Sequence, residues 1–133
     1  MNIFQYAFMC EENWKQNMSE MTDYEPFTTF FSDLSIAEAC EGLKGVKETY
    51  YNVVKHWLND YKYFTEFVVC LNHKSWEMDA RIKQRQTWEF ISAENLDKLM
   101  RLYADLYEKA VEAFHKKYEG NEEAESYFFN VTD

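Results

Sequence analysis

The feature that most restricts the fold of this chain is an apolar stretch at residues 61–78, which contains neither Gly nor Pro. Its apolar residues recur at helical spacing and form a broad stripe: Tyr61, Phe64, Phe67, Val68, Val69, Cys70 and Leu71. A buried strand is the competing interpretation, because the run FVVCL is rich in β formers. The stretch is too long for a typical strand, so we predict a helix that its neighbours shield from water.

The rest of the 133-residue chain also favours helices. Three Gly and one Pro are too few for a β-sandwich or a glycine-rich phosphate loop. A second apolar stripe follows in the C-terminal third: Leu96, Leu99, Tyr103, Leu106, Ala110 and Phe114. We predict an all-α fold of one domain, residues 1–133. It is a compact bundle of four to five helices, with a central helix at about 61–78 packed on a long C-terminal helix at about 93–119.

The N-terminal part divides into an extension and the start of the core. Residues 1–21 have the spacing of an amphipathic helix, and internal Met18 and Met21 offer alternative starts to Met1. The core is predicted to span 29–133, preceded by a connector at 23–31 that contains Pro26.

Glycine and capping residues set the expected helix ends within the core. Ser35 and Glu38 have the spacing of a capping box, so we expect a helix to start at Ser35. Gly42 and Gly45 suit the end of that short helix. From residue 46 to residue 78 the apolar residues keep one helical phase without interruption, a pattern that permits a single long helix. We place a break at Asn59-Asp60.

After the central helix the pattern weakens at 79–91, where we expect a fraying helix end and a loop. Ser92 is placed to cap the last long helix, with Ile91 and Leu96 as its hydrophobic staple. Gly120 is placed to end that helix. The acidic tail at 121–133 carries adjacent aromatic residues, which predicts that it docks back on the bundle.

Charge and cysteine content narrow the partners. The formal net charge is −10, with nine acids against three bases in residues 1–49. Such a surface repels nucleic acid and anionic lipid, so nucleic-acid binding is disfavoured. Solubility is the simplest explanation of the acidic surface, and its functional interpretation is a face that meets a basic partner. The chain has three cysteines, an odd number, and no CxxC motif. This pattern predicts reduced thiols and a cytoplasmic protein. No segment has the apolar length of a membrane span, so no membrane association is expected.

Two groups of residues have metal-ligand spacing. On the central helix Glu66, Cys70, His73 and Glu77 share one face, and on the last helix Glu112 and His115 form an ExxH pair of the kind used in di-iron bundles. A di-iron site needs two such pairs and two further carboxylates. These six residues are therefore candidate ligands in an alternative hypothesis, a metal-binding or small-ligand helical bundle, and we assign no cofactor.

Enzymatic and DNA-binding functions receive less support. The chain has no GxSxG motif and no cysteine with a protease signature, so we predict no enzymatic activity. Residues 35–60 have the outline of a helix-turn-helix, which makes a DNA-associated protein a second alternative. Its net charge of −1, from three lysines against four acids, opposes insertion into a DNA groove.

Four segments carry a resemblance to known proteins: TFFSDLSIAE at 29–38, NDYKYFTEF at 59–67, LNHKSW at 71–76 and the terminal TD at 132–133. They resemble a family of small all-α proteins, a domain of unknown function, from gut anaerobes and their phages and mobile elements. The resemblance covers residues 29–133. It implies a bacterial cytoplasm and an accessory gene, and it carries no catalytic residue.

These observations favour a non-enzymatic, acidic protein–protein interaction module. The long amphipathic stripes and the high aromatic content, 19%, also make a homodimer plausible, since exposed apolar patches usually find partners.

Overall fold

The computed structural model of the protein describes residues 24–83 and 93–132, and each range consists of two helices joined by a short turn. The helices are α1 (Tyr24–Trp57), α2 (Tyr61–Lys83), α3 (Ala93–Lys117) and α4 (Glu122–Thr132). These ranges contain no strand. α2 packs most extensively on α3 and also contacts α1 and α4. The predicted all-α bundle is confirmed, with a central helix against a long C-terminal one. The predicted helix at 1–21 lies outside the described residues.

The centre of the bundle is the stretch that the sequence singled out. Every side chain from Phe64 to Leu71 is buried, because α2 is covered by the three other helices. α3 faces it with the predicted stripe, all of it buried: Leu96, Leu99, Tyr103, Leu106, Ala110 and Phe114. α2 also stays helical through Lys83 instead of fraying from residue 79, because Arg81 remains on the buried face and pairs with Glu77 at 3.0 Å.

The start of α1 corrects the sequence prediction. The helix begins at Tyr24, so the expected connector at 23–31 is helical where it is described, and Pro26 lies in the first turn, where its missing N–H costs nothing. Ser35 and Glu38 are buried inside the helix and form no capping box. Phe30, Phe31 and Leu34 are buried in the core, and this burial extends the helix upstream of the local start signal.

α1 is bent at Gly42, which has a φ of 61° and a ψ of −138°. The predicted helix end at Gly42 therefore holds, but the chain resumes a helix at once, so α1 has two arms, 24–41 and 43–57. Gly45 lies inside the bend. A Cβ atom there would stand 2.7 Å from the Ala37 carbonyl oxygen, so only glycine lets the two arms approach this closely.

The predicted break between α1 and α2 is confirmed. Leu58 and Asn59 leave the helix, and the Asp60 carboxylate accepts a hydrogen bond from the Tyr63 N–H at 3.2 Å as the N-cap of α2. The Tyr118 hydroxyl, in the turn directly after α3, donates to the Leu58 carbonyl oxygen at 2.5 Å. The turn is thus tied to the opposite helix.

The C-terminal segment docks as predicted. Gly120, with a φ of 81°, separates α3 from α4. Phe128 of α4 is buried and stacks on Phe114 at a centroid distance of 4.4 Å. The Tyr61 hydroxyl donates to Glu123 at 2.8 Å, which fixes the start of α4 on α2. Phe129 points outward and is 63% exposed. The predicted Ser92 cap and the Ile91 side of the staple lie outside the described residues.

A buried charged cluster joins three helices. Lys74 of α2 is fully buried, and its Nζ lies 2.7 Å from Glu38 Oε1 and 3.2 Å from Glu77 Oε1. It also donates to Ser35 Oγ at 3.1 Å. The Tyr103 hydroxyl of α3 donates to the same Glu38 oxygen. We call these five residues the buried charge cluster. Burial raises the pKa of Tyr103, so its hydroxyl remains a donor.

We expect Lys74→Met to lower the free energy of unfolding by about 3–5 kcal/mol, because it leaves the Glu38 carboxylate as an uncompensated buried charge. Adding Glu38→Gln should recover part of the loss, since the remaining group is neutral. Urea denaturation measures both values.

The matched control is Lys83→Met on the same helix. Lys83 also pairs with a carboxylate, Asp79 at 2.9 Å, but its side chain is 75% exposed, so its loss should cost less than about 1 kcal/mol. Equal effects of Lys74→Met and Lys83→Met would contradict a structural role for the buried charge cluster.

Candidate functional site

The predicted metal ligands of α2 share its buried face but serve different contacts. Glu66 and Cys70 are completely buried within the core. Burial raises the pKa of the Cys70 thiol well above its usual value, which disfavours the thiolate that binds metal. Burial also lowers the pKa of His73 to about 4, and its ring lies 5.6 Å from that of Trp76. Glu77 belongs to the buried charge cluster.

The ExxH pair of α3 does not meet these residues in a common site. Glu112 is exposed, and His115 Nδ1 lies 2.9 Å from Glu125 Oε2 of α4. Across residues 24–83 and 93–132, no group of three His, Cys, Asp or Glu side chains is arranged to hold a metal ion. His115 instead contributes a contact between the last two helices.

One concave feature of the described residues is an open groove on the outer side of α1. It has a volume of about 710 Å³ and lies between the two arms of the bent helix, with Tyr63 of α2 at one end. The lining residues are Thr29, Phe30, Asp33, Ile36, Ala37, Cys40, Glu41, Gly45, Glu48, Thr49, Asn52, Val53, His56, Trp57 and Tyr63. We call this feature the α1 groove.

One end of the α1 groove is aromatic and is held by the core. The rings of Trp57 and Tyr63 have centroids 4.8 Å apart, and Phe30 meets Trp57 edge to face at 6.1 Å. Phe30 also contacts the buried ring of Phe67 at 5.3 Å. The aromatic end is therefore a rigid extension of the hydrophobic core, although Trp57 itself remains 37% exposed.

The rim of the groove is acidic. Asp33, Glu41 and Glu48 line it, whereas its described lining residues include no Lys or Arg. Partial burial raises the pKa of the Asp33 carboxyl, so this group gains from a cation placed beside it. Glu48 lies 3.9 Å from Lys44, in an exposed pair of little strength. The groove therefore combines an apolar floor with a negative potential.

Sequence reasoning missed the α1 groove because it depends on the bend at Gly42. The sequence shows the excess of acids in residues 1–49 and also shows Gly42 and Gly45. The two glycines, however, predicted the end of a helix and not a bend between two helical arms. His56 and Asp60 stand four residues apart in the sequence, a spacing that would let both side chains contact one metal ion if they shared a helix. The structure separates them, since His56 lines the groove and Asp60 caps α2.

The sequence contains a signal from which the buried charge cluster could have been predicted. Lys74 stands in phase with Leu71 and Met78, and Glu38 stands in phase with Phe31 and Leu34, so each charge occupies an apolar position of its helix. Opposite charges at apolar positions of two helices indicate a buried ion pair.

The two described cysteines should differ sharply in reactivity. Cys40 is exposed in the α1 groove, whereas Cys70 is buried with a raised pKa. In a Cys10→Ser background, we expect one thiol to react with a thiol reagent in the folded protein and the second to react only in denaturant. Absorbance of the released chromophore measures the two phases. Two fast-reacting thiols in the folded state would show that the core around Cys70 is open.

No described helix combines the length and apolar character needed to cross a membrane. Comparison of the chain with protein-family models, curated proteins and solved structures yields no match.

Proposed function

We propose that this protein is a non-enzymatic interaction module that binds another protein through the α1 groove. The observation that carries the proposal is the union of an apolar, aromatic floor with three rim carboxylates and no lining Lys or Arg among the described residues. Aromatic side chains in a partly open depression are typical anchors of protein interfaces, and charges at the rim select the partner.

Charge supports a basic partner. The chain carries a formal net charge of −10, which attracts a basic protein at long range and speeds its association. The same charge opposes binding of nucleic acid. It also opposes a homodimer that joins two α1 grooves, since such a contact would set the rim carboxylates of one copy against those of the other.

The biological setting in this proposal is a bacterial cytoplasm, where the protein would act as an accessory factor encoded by a phage or mobile element. This setting rests on the resemblance of residues 29–133 to the all-α family described above. An accessory protein without catalytic residues acts by occupying a surface of a host or phage protein.

A small-ligand function is a second candidate, because the volume of the α1 groove, about 710 Å³, lies within the range of small-molecule sites. Mass spectrometry of material released by denaturing the purified protein would reveal such a ligand. For a metal, elemental analysis of chelator-free protein and of a His115→Ala variant is decisive. Stoichiometric iron, zinc or manganese that disappears in the variant would favour the metal alternative.

The interaction hypothesis is tested with the Asp33→Lys/Glu41→Lys variant, which reverses two rim charges. We expect it to weaken binding of the partner captured from the native host by at least about tenfold, because like charges then face each other. Quantitative pull-down followed by titration of the identified protein measures the change.

The control is Glu108→Lys/Glu119→Lys, which changes the net charge equally at exposed positions of α3 and the following turn. This control should retain partner binding. If both double variants bind the partner as the unaltered protein does, the α1 groove is not the interface.

A further inference from the structure

The residues that line the α1 groove form two helical stripes that face each other across the bend. On the second arm they recur at i, i+3, i+4, i+7, i+8 and i+11, in the order Gly45, Glu48, Thr49, Asn52, Val53 and His56. On the first arm the facing set is Thr29, Phe30, Asp33, Ile36, Ala37, Cys40 and Glu41. Both walls of the groove are therefore continuous helix faces.

The length of these walls fits a short helix. The stripe from Gly45 to His56 covers eleven residue steps, which at 1.5 Å per residue is about 17 Å, or three helical turns. Near the bend the groove is lined by the small side chains of Ala37 and Cys40 and by Gly45. Small residues leave room for large side chains of an incoming helix.

The walls favour a helix over an extended peptide. A peptide in β conformation gains affinity by pairing its backbone with an open sheet edge, and the described ranges contain no strand. The backbone groups of helical walls are already bonded within each arm. A helix satisfies its own backbone and binds such walls through side chains alone.

The chemistry of the rim specifies the flanks of the partner helix. Asp33 and Glu41 stand on one wall and Glu48 on the other, so carboxylates lie on both sides of the apolar floor. Lysine or arginine on both flanks of an apolar face would meet them. Ile36, 38% exposed, and Trp57 supply apolar surface between the charges.

The chain itself is a poor source of this helix. Residues 1–23 carry four acids and one lysine, and a second copy brings a net charge of −10. Both would add negative charge to an acidic rim. We infer that the α1 groove receives a three-turn amphipathic helix of another protein, with an apolar face flanked by Lys or Arg. This inference rests on the proposed function and names the chemistry of its partner.

The test uses three libraries of synthetic peptides about twelve residues long, the length of the groove wall. All have randomised apolar positions at i, i+3, i+4 and i+7. The first has Lys flanks, the second has Glu flanks, and the third has Lys flanks with a central Pro that prevents helix formation. Each is selected on the immobilised full chain.

We expect binders from the Lys-flanked library only. Their affinity should fall at least about tenfold in Asp33→Lys/Glu41→Lys and remain unchanged in Glu108→Lys/Glu119→Lys. At saturation they should slow alkylation of Cys40, which lines the groove, and their circular dichroism should show helix formation on binding.

Several results would overturn the inference. They are the absence of binders from the Lys-flanked library, binders of equal affinity from the Pro-interrupted or Glu-flanked library, and binders indifferent to the rim substitutions. Slow alkylation of Cys40 before any peptide is added would show that the chain covers its own groove, and slowing that grows with protein concentration would identify a second copy as the occupant. The proposed function is refuted by a different result, namely that the host partner binds the Asp33→Lys/Glu41→Lys variant as tightly as the unaltered protein.

Discussion

The ion pair between Lys74 and Glu38 is the constraint on which the arrangement of the helices depends. Both side chains are withdrawn from water, so each needs the other; Tyr103 adds a hydrogen bond to Glu38, and Ser35 adds one to Lys74. These residues come from three helices. α1, α2 and α3 must therefore reach one mutual register for any of the charges to be compensated, which a purely apolar interface would not require.

This register also determines what α1 presents to the outside. Glu38 points into the bundle, and residues two positions away on a helix, Ile36 and Cys40, point away from it. The acids of α1 thus have two distinct roles. Glu38 is neutralised inside and stabilises the fold, whereas Asp33 and Glu41 remain at the rim and give the α1 groove its charge.

The helices were predictable from the sequence, and the candidate site was not. The apolar stripes of α2 and α3 persist over several turns, so their helical period is clear even where single residues depart from it. The break before α2 was also predictable, because Asp60 is a good N-cap residue where the helical pattern is weakest. Ser35 shows the opposite case, since a local start signal was overridden by burial of Phe31 one turn earlier. The groove needs the bend angle at Gly42, and no residue pattern encodes the direction of a bend.

The bend at Gly42 leaves each arm of α1 anchored on its own. Leu34 anchors the first arm in the core, and Val46 and Tyr50 anchor the second. Neither wall of the groove therefore needs a bound partner to hold it in position. A receptor surface that is already shaped loses little conformational entropy when it is filled. The groove would then select partners by how well their shape fits it. The conformational entropy lost on binding would come mainly from the incoming chain, which has to become helical.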